Sequence, residues 1–241
     1  MSHPAELADQ SSFDAQLHLR LVFGSGSINR LGKLAAEHGA GKVFLVTDPG
    51  VRAVGHVDRA LASLNEVNLS VVIYDQAKEN PTTDCVMECA ELARQEGVDF
   101  IVGLGGGSSM DTAKGCNFLL TNGGEMKDYW GVGKASKPML PLIAIPTTAG
   151  TGSECQSFAL ISDAVTHAKM ACGDPKAMAK VAILDPELTL SQPSRVTACT
   201  GIDAVAHAVE SAVTRKRNET SQQYSRVAFG LLSQSLPTVL T

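Results

Sequence analysis

The chain has 241 residues, of which 44% are hydrophobic and 19% are charged, so it is long and apolar enough to bury a full core. A formal net charge of −5 gives no electrostatic footprint for a polyanion, so we expect no nucleic-acid partner. No run of 18 apolar residues occurs, and residues 1–12 lack the apolar stretch of a secretory signal. We therefore expect a cytoplasmic protein with no membrane partner, and its scattered cysteines favour reduced thiols over disulfides or a zinc site.

The hydrophobic pattern predicts alternating strands and helices over most of the chain. We expect strands at 17–23, 42–47, 69–74, 98–104, 141–146, 168–172 and 181–184. We expect helices at 27–38, 50–64, 82–96, with Thr83 as its cap, and 108–120. Parallel strands need crossover connections, so this alternation predicts the α/β class, with a Rossmann-like parallel sheet covered by helices on both faces.

After Pro193 the pattern becomes wholly helical, with helices expected at 197–214 and 219–235. We therefore predict a disordered leader at 1–12, an α/β dinucleotide-binding domain at 13–191, and the beginning of an all-helical domain at 192–241. The helical domain is expected to be incomplete at Thr241.

A glycine-rich loop lies between the buried strand 98–104 and the next helix. It consists of Gly105, Gly106, Gly107 and Ser108. Glycines let the backbone approach a ligand, and the free N–H groups at a helix start attract phosphate. The GxxxxGK pattern of a P-loop is absent because Lys114 is followed by Gly115, and GxGxxG is absent as well. A phosphate site at a strand's carboxyl end is favoured, with a ligand-free tight turn as the alternative.

Two charged residues accompany this loop elsewhere in the sequence. Asp48 ends the strand 42–47, where a carboxylate would bind the adenosine ribose hydroxyls and repel a 2′-phosphate. Ordinary turn chemistry explains Asp48 equally well. Lys169 lies near the start of a later strand, from which it could reach a phosphate or a nicotinamide, or simply be solvated.

The segment Pro146–Glu154 concentrates hydroxyls and glycines directly after a buried strand. A capping box formed by Thr151 and Glu154 would account for part of it. That interpretation leaves Thr147 and Thr148 unexplained, so these two hydroxyls are candidates for ligand binding.

Asp203 and His207 are four residues apart, which places both on one face of the predicted helix 197–214. The surrounding alanines and valines predict that this helix is buried. A buried carboxylate needs a partner, which is either a metal ion or the histidine itself. The spacing alone leaves a metal site and a hydrogen bond in the core as open alternatives.

Together these residues resemble the group III, iron-containing alcohol dehydrogenases, whose fold is shared with glycerol dehydrogenase and dehydroquinate synthase. Order and spacing match over nearly all of the chain. The matching stretches are Gly105-Gly106-Gly107-Ser108 with Asp111, the segment Pro146–Glu154, and Gly201-Ile202-Asp203 with His207-Ala208.

The resemblance implies an enzyme that exchanges hydride between NAD and a small alcohol or carbonyl compound, assisted by Fe²⁺, with Zn²⁺ as the alternative metal. It implies catalytic roles for Asp203, His207 and Lys169, with Asp203 and His207 as metal ligands. The implied cofactor contacts are Asp48, Gly105, Gly106, Gly107, Ser108, Asp111, Thr147, Thr148, Thr151, Ser153 and Lys169.

The family supplies two further histidines from later helices, which we expect beyond Thr241, so we expect the sequence to be a fragment that is inactive alone. A homodimer is also expected. A lyase of the dehydroquinate synthase kind and a non-catalytic nucleotide-binding fragment are the alternative functions.

Overall fold

A computed structural model describes residues 13–16 and 18–240 of the chain. The predicted leader at 1–12 and Leu17 lie outside the described residues. The strands are β1 (Phe13–Gln16), β2 (Arg20–Phe23), β3 (Lys42–Val46), β4 (Ser70–Tyr74), β5 (Phe100–Gly105), β6 (Gly131–Val132), β7 (Leu142–Pro146), β8 (Phe158–Ser162), β9 (Lys169–Gly173) and β10 (Val181–Leu184). The helices are α1 (Leu31–Glu37), α2 (Pro49–Ala53), α3 (His56–Asn65), α4 (Thr83–Glu96), α5 (Gly107–Asn122), α6 (Ser194–Val213) and α7 (Glu219–Val239).

Seven strands form one sheet in the order β1-β2-β10-β7-β5-β3-β4. All neighbouring pairs are parallel except β1 and β2, which are antiparallel. The predicted α/β class and the largely parallel sheet are therefore confirmed. Strand β2 pairs with β10, the last strand of the chain, so the sheet joins the beginning of the described chain to the residues just before α6.

The core lies in two layers, one on each face of the sheet. Successive residues of a strand point to opposite faces. Phe44 packs with α4 and α5, whereas its neighbours Val43 and Leu45 pack with α1 and α3. Both faces of the central strands are therefore buried, which explains why these strands appear in the sequence as continuous apolar runs.

A second, three-stranded sheet in the order β6-β9-β8 was not predicted. The sequence did not predict strand β8, because this strand is only partly buried and follows a glycine-rich segment. Its inward side chains, Ala159 and Ile161, join the same core layer as α5. This small sheet extends the cover over one face of the main sheet.

Two helix predictions need correction. The predicted helix 50–64 is two helices, because the chain turns at Gly55, whose φ of +84° suits glycine and interrupts the helical path. The cap of α4 is Thr82 and not Thr83, since the Thr82 hydroxyl accepts the N–H of Cys85.

The helical character after Pro193 is confirmed by α6 and α7, which pack against each other. The contact is close at Gly201, where a Cβ would lie 2.4 Å from a methyl carbon of Leu236. A domain boundary at 192 stays a prediction. Across the described ranges, no helix combines the length and apolar character needed to cross a membrane.

The buried side chain of Asp185, just after β10, connects this end of the strand to the loop that follows β2. Its carboxylate accepts the backbone N–H groups of Gly26 and Ile28, at 3.1 and 3.2 Å, and that of Glu187 at 3.1 Å. The guanidinium of Arg59 contacts the same carboxylate at 3.4 Å. One side chain therefore fixes the loop after β2 against the end of β10.

We predict that Asp185→Ala lowers the free energy of unfolding by about 3 kcal/mol, because it leaves buried N–H groups without an acceptor. The matched control is Glu187→Ala, which removes an exposed partner of the same Arg59 and should change stability by less than about 0.5 kcal/mol. Urea denaturation measures both. Equal effects of the two substitutions would contradict this account of Asp185.

Candidate active site

The order of the strands creates a crevice at the carboxyl edge of the main sheet. The chain passes from β3 to β4 on one side, whereas β5 lies on the other side of β3. The connections that follow β3 and β5 therefore leave toward opposite sides, and open α/β sheets bind ligands in the crevice expected at such a position. Asp48 follows β3 and the glycine loop follows β5, so the fold brings these two predicted features together.

The glycine loop has a backbone that larger residues would obstruct. Gly105 has a φ of +149°, and a Cβ there would lie 2.5 Å from the hydroxyl of Ser109. A Cβ on Gly106 would contact Thr148 at 3.4 Å, and one on Gly107 would contact Thr151 at 3.3 Å. Gly106 precedes α5, and no side chain of the described residues caps this helix. Its first N–H groups, with the positive end of the helix dipole, suit an anion.

Asp48 serves the fold and faces the crevice at the same time. One carboxylate oxygen accepts the N–H of Val51 at 3.0 Å and so caps α2. The other accepts the hydroxyl of Ser109 at 2.9 Å, which ties the end of β3 to α5. Each carboxylate oxygen has more than one lone pair, so both can still accept a hydroxyl of a ligand.

The segment after β7 lies along the glycine loop. The N–H of Thr147 donates to the carbonyl of Gly105 at 3.0 Å. The hydroxyl oxygen of Thr148 is buried and has no hydrogen-bond partner among the described residues. Buried hydroxyls are rarely unpaired. The unpartnered hydroxyl of Thr148 is therefore the feature of this site that indicates a bound ligand most directly.

The predicted capping box of Thr151 and Glu154 is wrong. The short 3-10 helix Ser153–Cys155 begins after Gly152, whose φ of +65° makes the turn without a side-chain cap. The Thr151 hydroxyl accepts the N–H of Ser153 at 3.4 Å, and no reciprocal bond from Glu154 is present.

Lys114, which sequence analysis did not select, occupies the centre of a buried polar cluster. Its side chain is fully buried, and its ammonium donates to the carbonyl of Ser153 at 2.5 Å and to that of Phe158 at 2.9 Å. It also donates to the hydroxyl of Ser153 at 2.9 Å, and that hydroxyl donates to Asp111 at 2.9 Å. Burial lowers the pKa of Lys114 to about 8 and raises the pKa of Asp111. Asp111 and Ser153 are therefore bonded within the protein, beneath the loop.

Lys169 lies at the open side of the glycine loop, as the first residue of β9. Its exposed ammonium donates to the side-chain oxygen of Asn80 at 3.3 Å, and the N–H of Asn80 donates to the hydroxyl of Ser108 at 3.2 Å. Asn80 was also not selected from the sequence, although its φ of +51° is unusual for a residue other than glycine. The ammonium of Lys169 is therefore linked through Asn80 to Ser108, next to the predicted phosphate position.

Asp203 and His207 lie side by side on α6, with 3.6 Å between the Oδ1 and Nε2 atoms. The prediction that this helix is buried was wrong, because 47% of the Asp203 side chain and 42% of the His207 side chain are exposed. On α6 only Gly201 and Ala208 are buried. The alanines and valines do mark an apolar helix, but the described residues cover only part of it.

The imidazole of His207 is oriented by a neighbouring loop. Its Nδ1 lies 3.1 Å from the carbonyl of Gly150 and donates to it, so Nε2 is the ring nitrogen that faces Asp203. A carboxylate and an imidazole suit Fe²⁺ or Zn²⁺ by donor type. Among the described residues no group of three or more candidate ligands is present, so these two form part of a metal site at most.

We predict that Lys114→Met destabilises the fold by about 3 kcal/mol, since buried carbonyls and Asp111 lose their cation. The pKa of Lys114 is about 8 in the fold and 10.5 in its reference state, so the unfolded chain binds more protons between these values. Wild-type stability should therefore rise relative to Lys114→Met as the pH increases through this window, by roughly 1–2 kcal/mol.

Urea denaturation at pH 7.5 and 9.5 measures both effects on Lys114. The matched control is the exposed lysine variant Lys33→Met, which should follow the wild type at both pH values. A pH-independent difference between wild type and Lys114→Met would contradict the depressed pKa.

A second prediction concerns Gly150, where a Cβ would lie 1.8 Å from the carbonyl oxygen of Thr200. Gly150→Ala should displace α6, weaken the bond to His207 and cost about 2 kcal/mol. Gly230→Ala is the control, because a Cβ at Gly230 meets nothing within 4 Å and alanine favours a helix. Urea denaturation gives the free energies, and faster amide exchange in α6 of Gly150→Ala alone is expected. Unchanged exchange would contradict this contact.

Comparison with known proteins identifies the family. The family model described as iron-containing alcohol dehydrogenase matches residues 19–186. Alcohol dehydrogenase 4 of Schizosaccharomyces pombe is 44% identical over 197 residues, which are 82% of this chain and 47% of that protein. The NAD-dependent methanol dehydrogenase of Bacillus methanolicus is 38% identical, across 90% of this chain and 57% of the relative. The chain thus spans about half the length of the curated relatives it matches.

Solved structures agree with this assignment. A crystal structure of a 1,3-propanediol oxidoreductase superposes with a TM-score of 0.89 at 31% identity, covering 95% of this chain and 59% of the other. Sulfoacetaldehyde reductase from Bifidobacterium kashiwanohense, solved in complex with NAD⁺, gives a TM-score of 0.84 at 29% identity, covering 95% and 60%. The parallel sheet and the helices that follow it are thus arranged as in these solved structures. The chain belongs to the iron-containing alcohol dehydrogenase family.

Proposed function

We propose that the whole protein is an NAD-dependent oxidoreductase that interconverts an alcohol with an aldehyde or ketone. The observation that carries this proposal is the uncapped start of α5 behind the glycine loop, faced by the unpartnered buried hydroxyl of Thr148. Support also comes from relatives whose names include an NAD-dependent methanol dehydrogenase and a reductase in complex with NAD⁺.

In this proposal the crevice binds the dinucleotide through its pyrophosphate. Backbone N–H groups at the start of α5 and the Thr148 hydroxyl donate to phosphate oxygens, and Lys169 neutralises part of their charge. Asp48 accepts the adenosine ribose hydroxyls. The proposed direct contacts are Asp48, Gly105, Gly106, Gly107, Ser108, Thr147, Thr148, Thr151 and Lys169.

For Asp111 and Ser153 we propose an indirect role in cofactor binding. Both side chains are buried, the Ser153 hydroxyl donates to Asp111, and the same hydroxyl accepts from the ammonium of Lys114. They hold the threonine-rich segment against α5 and so fix the distance between Thr148 and the glycine loop.

Asp203 and His207 are the residues of this chain that would hold the metal, Fe²⁺ or alternatively Zn²⁺, together with ligands from elsewhere in the protein. A divalent metal there would polarise the oxygen of an alcohol or carbonyl substrate, and the bound nicotinamide would exchange the hydride. The chain's own contribution is orientation, because Gly150 directs Nε2 of His207 toward the side of Asp203.

We also propose that the protein is a homodimer located in the cytoplasm. Among the described residues strand β1 has one neighbour, β2, so its other edge is a candidate for pairing with a second copy. Free cysteines suit the reducing conditions of the cytoplasm.

Calorimetry of this chain with NAD tests the binding step. We expect one molecule of NAD per chain, and about tenfold weaker binding by Thr148→Val, because one hydrogen bond to a charged phosphate is lost. The control is Thr121→Val, which removes a hydroxyl at the far end of α5 and should leave NAD affinity unchanged. Absence of NAD binding by the wild-type chain would refute the proposed cofactor site.

The oxidoreductase activity itself is tested with the full-length protein loaded with Fe²⁺ or Zn²⁺. Absorbance at 340 nm should report NAD reduction with short alcohols, and Asp203→Ala or His207→Ala should abolish most of it. Tight NAD binding without turnover across such a panel would refute the oxidoreductase and favour a binding module.

A further inference from the structure

The proposed adenosine end of the crevice contains a second acidic residue beside Asp48. Asp75 directly follows β4, the parallel neighbour of β3, and Val46 pairs with Tyr74 in their register. The N–H of Thr47 donates to the carbonyl of Tyr74 at 2.8 Å, and the N–H of Ala77 donates to the carbonyl of Thr47 at 3.1 Å. The chain after β4 therefore runs beside the residue that precedes Asp48.

The same corner contains one arginine, which Asp75 binds. Arg52 lies in the last turn of α2, and its N–H donates to the carbonyl of Asp48 at 3.1 Å. Its guanidinium donates to one carboxylate oxygen of Asp75. The other carboxylate oxygen accepts the amide of Gln76 at 2.7 Å. These contacts hold the pKa of Asp75 below its usual range, with Gln76 as the largest cause, so the carboxylate stays charged.

NAD and NADP differ at this end of the molecule by a 2′-phosphate on the adenosine ribose. A carboxylate at the end of the strand repels that phosphate, whereas an arginine nearby accommodates it, often through two parallel hydrogen bonds. The corner contains both groups, Asp48 and Arg52, so its preference depends on whether the guanidinium is available. The side chain of Arg52 is 53% exposed and that of Asp75 is 24% exposed. The Asp75 carboxylate is therefore the more fixed partner of the pair.

We propose that Asp75 is a specificity-determining residue that keeps Arg52 paired, so that no free guanidinium remains to receive a 2′-phosphate. The proposal rests on the proposed function, which places the adenosine ribose at Asp48. Preference for NAD is then encoded twice, by repulsion from Asp48 and by the occupied state of Arg52. The second element acts through an ion pair that the dinucleotide itself does not touch.

The test compares the affinities of the chain for NADP and NAD by calorimetry. Asp75→Asn should raise the ratio of NADP to NAD affinity by about tenfold, the size expected for one charge-assisted contact with the released Arg52. The double variant Arg52→Met with Asp75→Asn should lose this gain. Adenosine 2′,5′-bisphosphate against AMP should give the same pattern, which assigns the effect to the 2′-phosphate.

The matched control is Glu79→Gln, which removes one negative charge from the same exposed loop and should leave the ratio within about twofold. Asp75→Ala gives a second release of Arg52 without an amide that could bind it. An unchanged ratio in both Asp75 variants, or a gain that persists in the double variant, would overturn this proposal alone. Absence of NAD binding by the wild type would overturn the proposed function together with it.

Discussion

The buried ammonium group of Lys114 connects the parts of the crevice to one another. It is carried by α5, the helix that begins at the glycine loop, and it donates to carbonyls of Ser153 and Phe158 in the segment after β7. A charge in the interior is stable only when its partners are well placed, and two of the three partners of this ammonium are backbone carbonyls, the third being the Ser153 hydroxyl. The position of the threonine-rich segment is therefore set from the helix that would bind the phosphates. The same segment reaches α6, because the carbonyl of Gly150 accepts from His207.

How well each strand could be predicted from the sequence depends on how it is buried. The strands of the main sheet are buried on both faces, so runs such as Val43–Val46 are continuously apolar and bounded by turn residues. Strand β8 is different, because it owes its place to α5 and β9 and shows only a short alternating pattern. No local pattern indicates such long-range contacts, and the second sheet was missed for this reason.

The residues of the candidate site likewise differ in how far the sequence could predict them. The glycine loop was predictable because strand, glycines and helix follow one another directly in the sequence. Lys114 was not, since a lysine is usually solvated. Only its place three residues after Asp111, between the buried Ala113 and Cys116, could have indicated a buried polar cluster. For α6 the error was opposite: composition described an apolar helix correctly but could not say what covers it. Its metal-binding role came from the family resemblance and stays a prediction.

The hydrogen bond from Thr147 to Gly105, the last residue of β5, extends the pairing of β5 and β7 one residue beyond the end of β7. The loop that would surround the phosphates is thus part of the sheet's own hydrogen-bond network, and its conformational entropy is lost when the chain folds rather than when a ligand arrives. A nucleotide that meets such a preformed loop gives up little of its binding free energy to ordering the protein. Conversely, a bound nucleotide stabilises the folded state in proportion to the logarithm of its concentration, so occupancy of the crevice and thermal stability of the sheet rise and fall together.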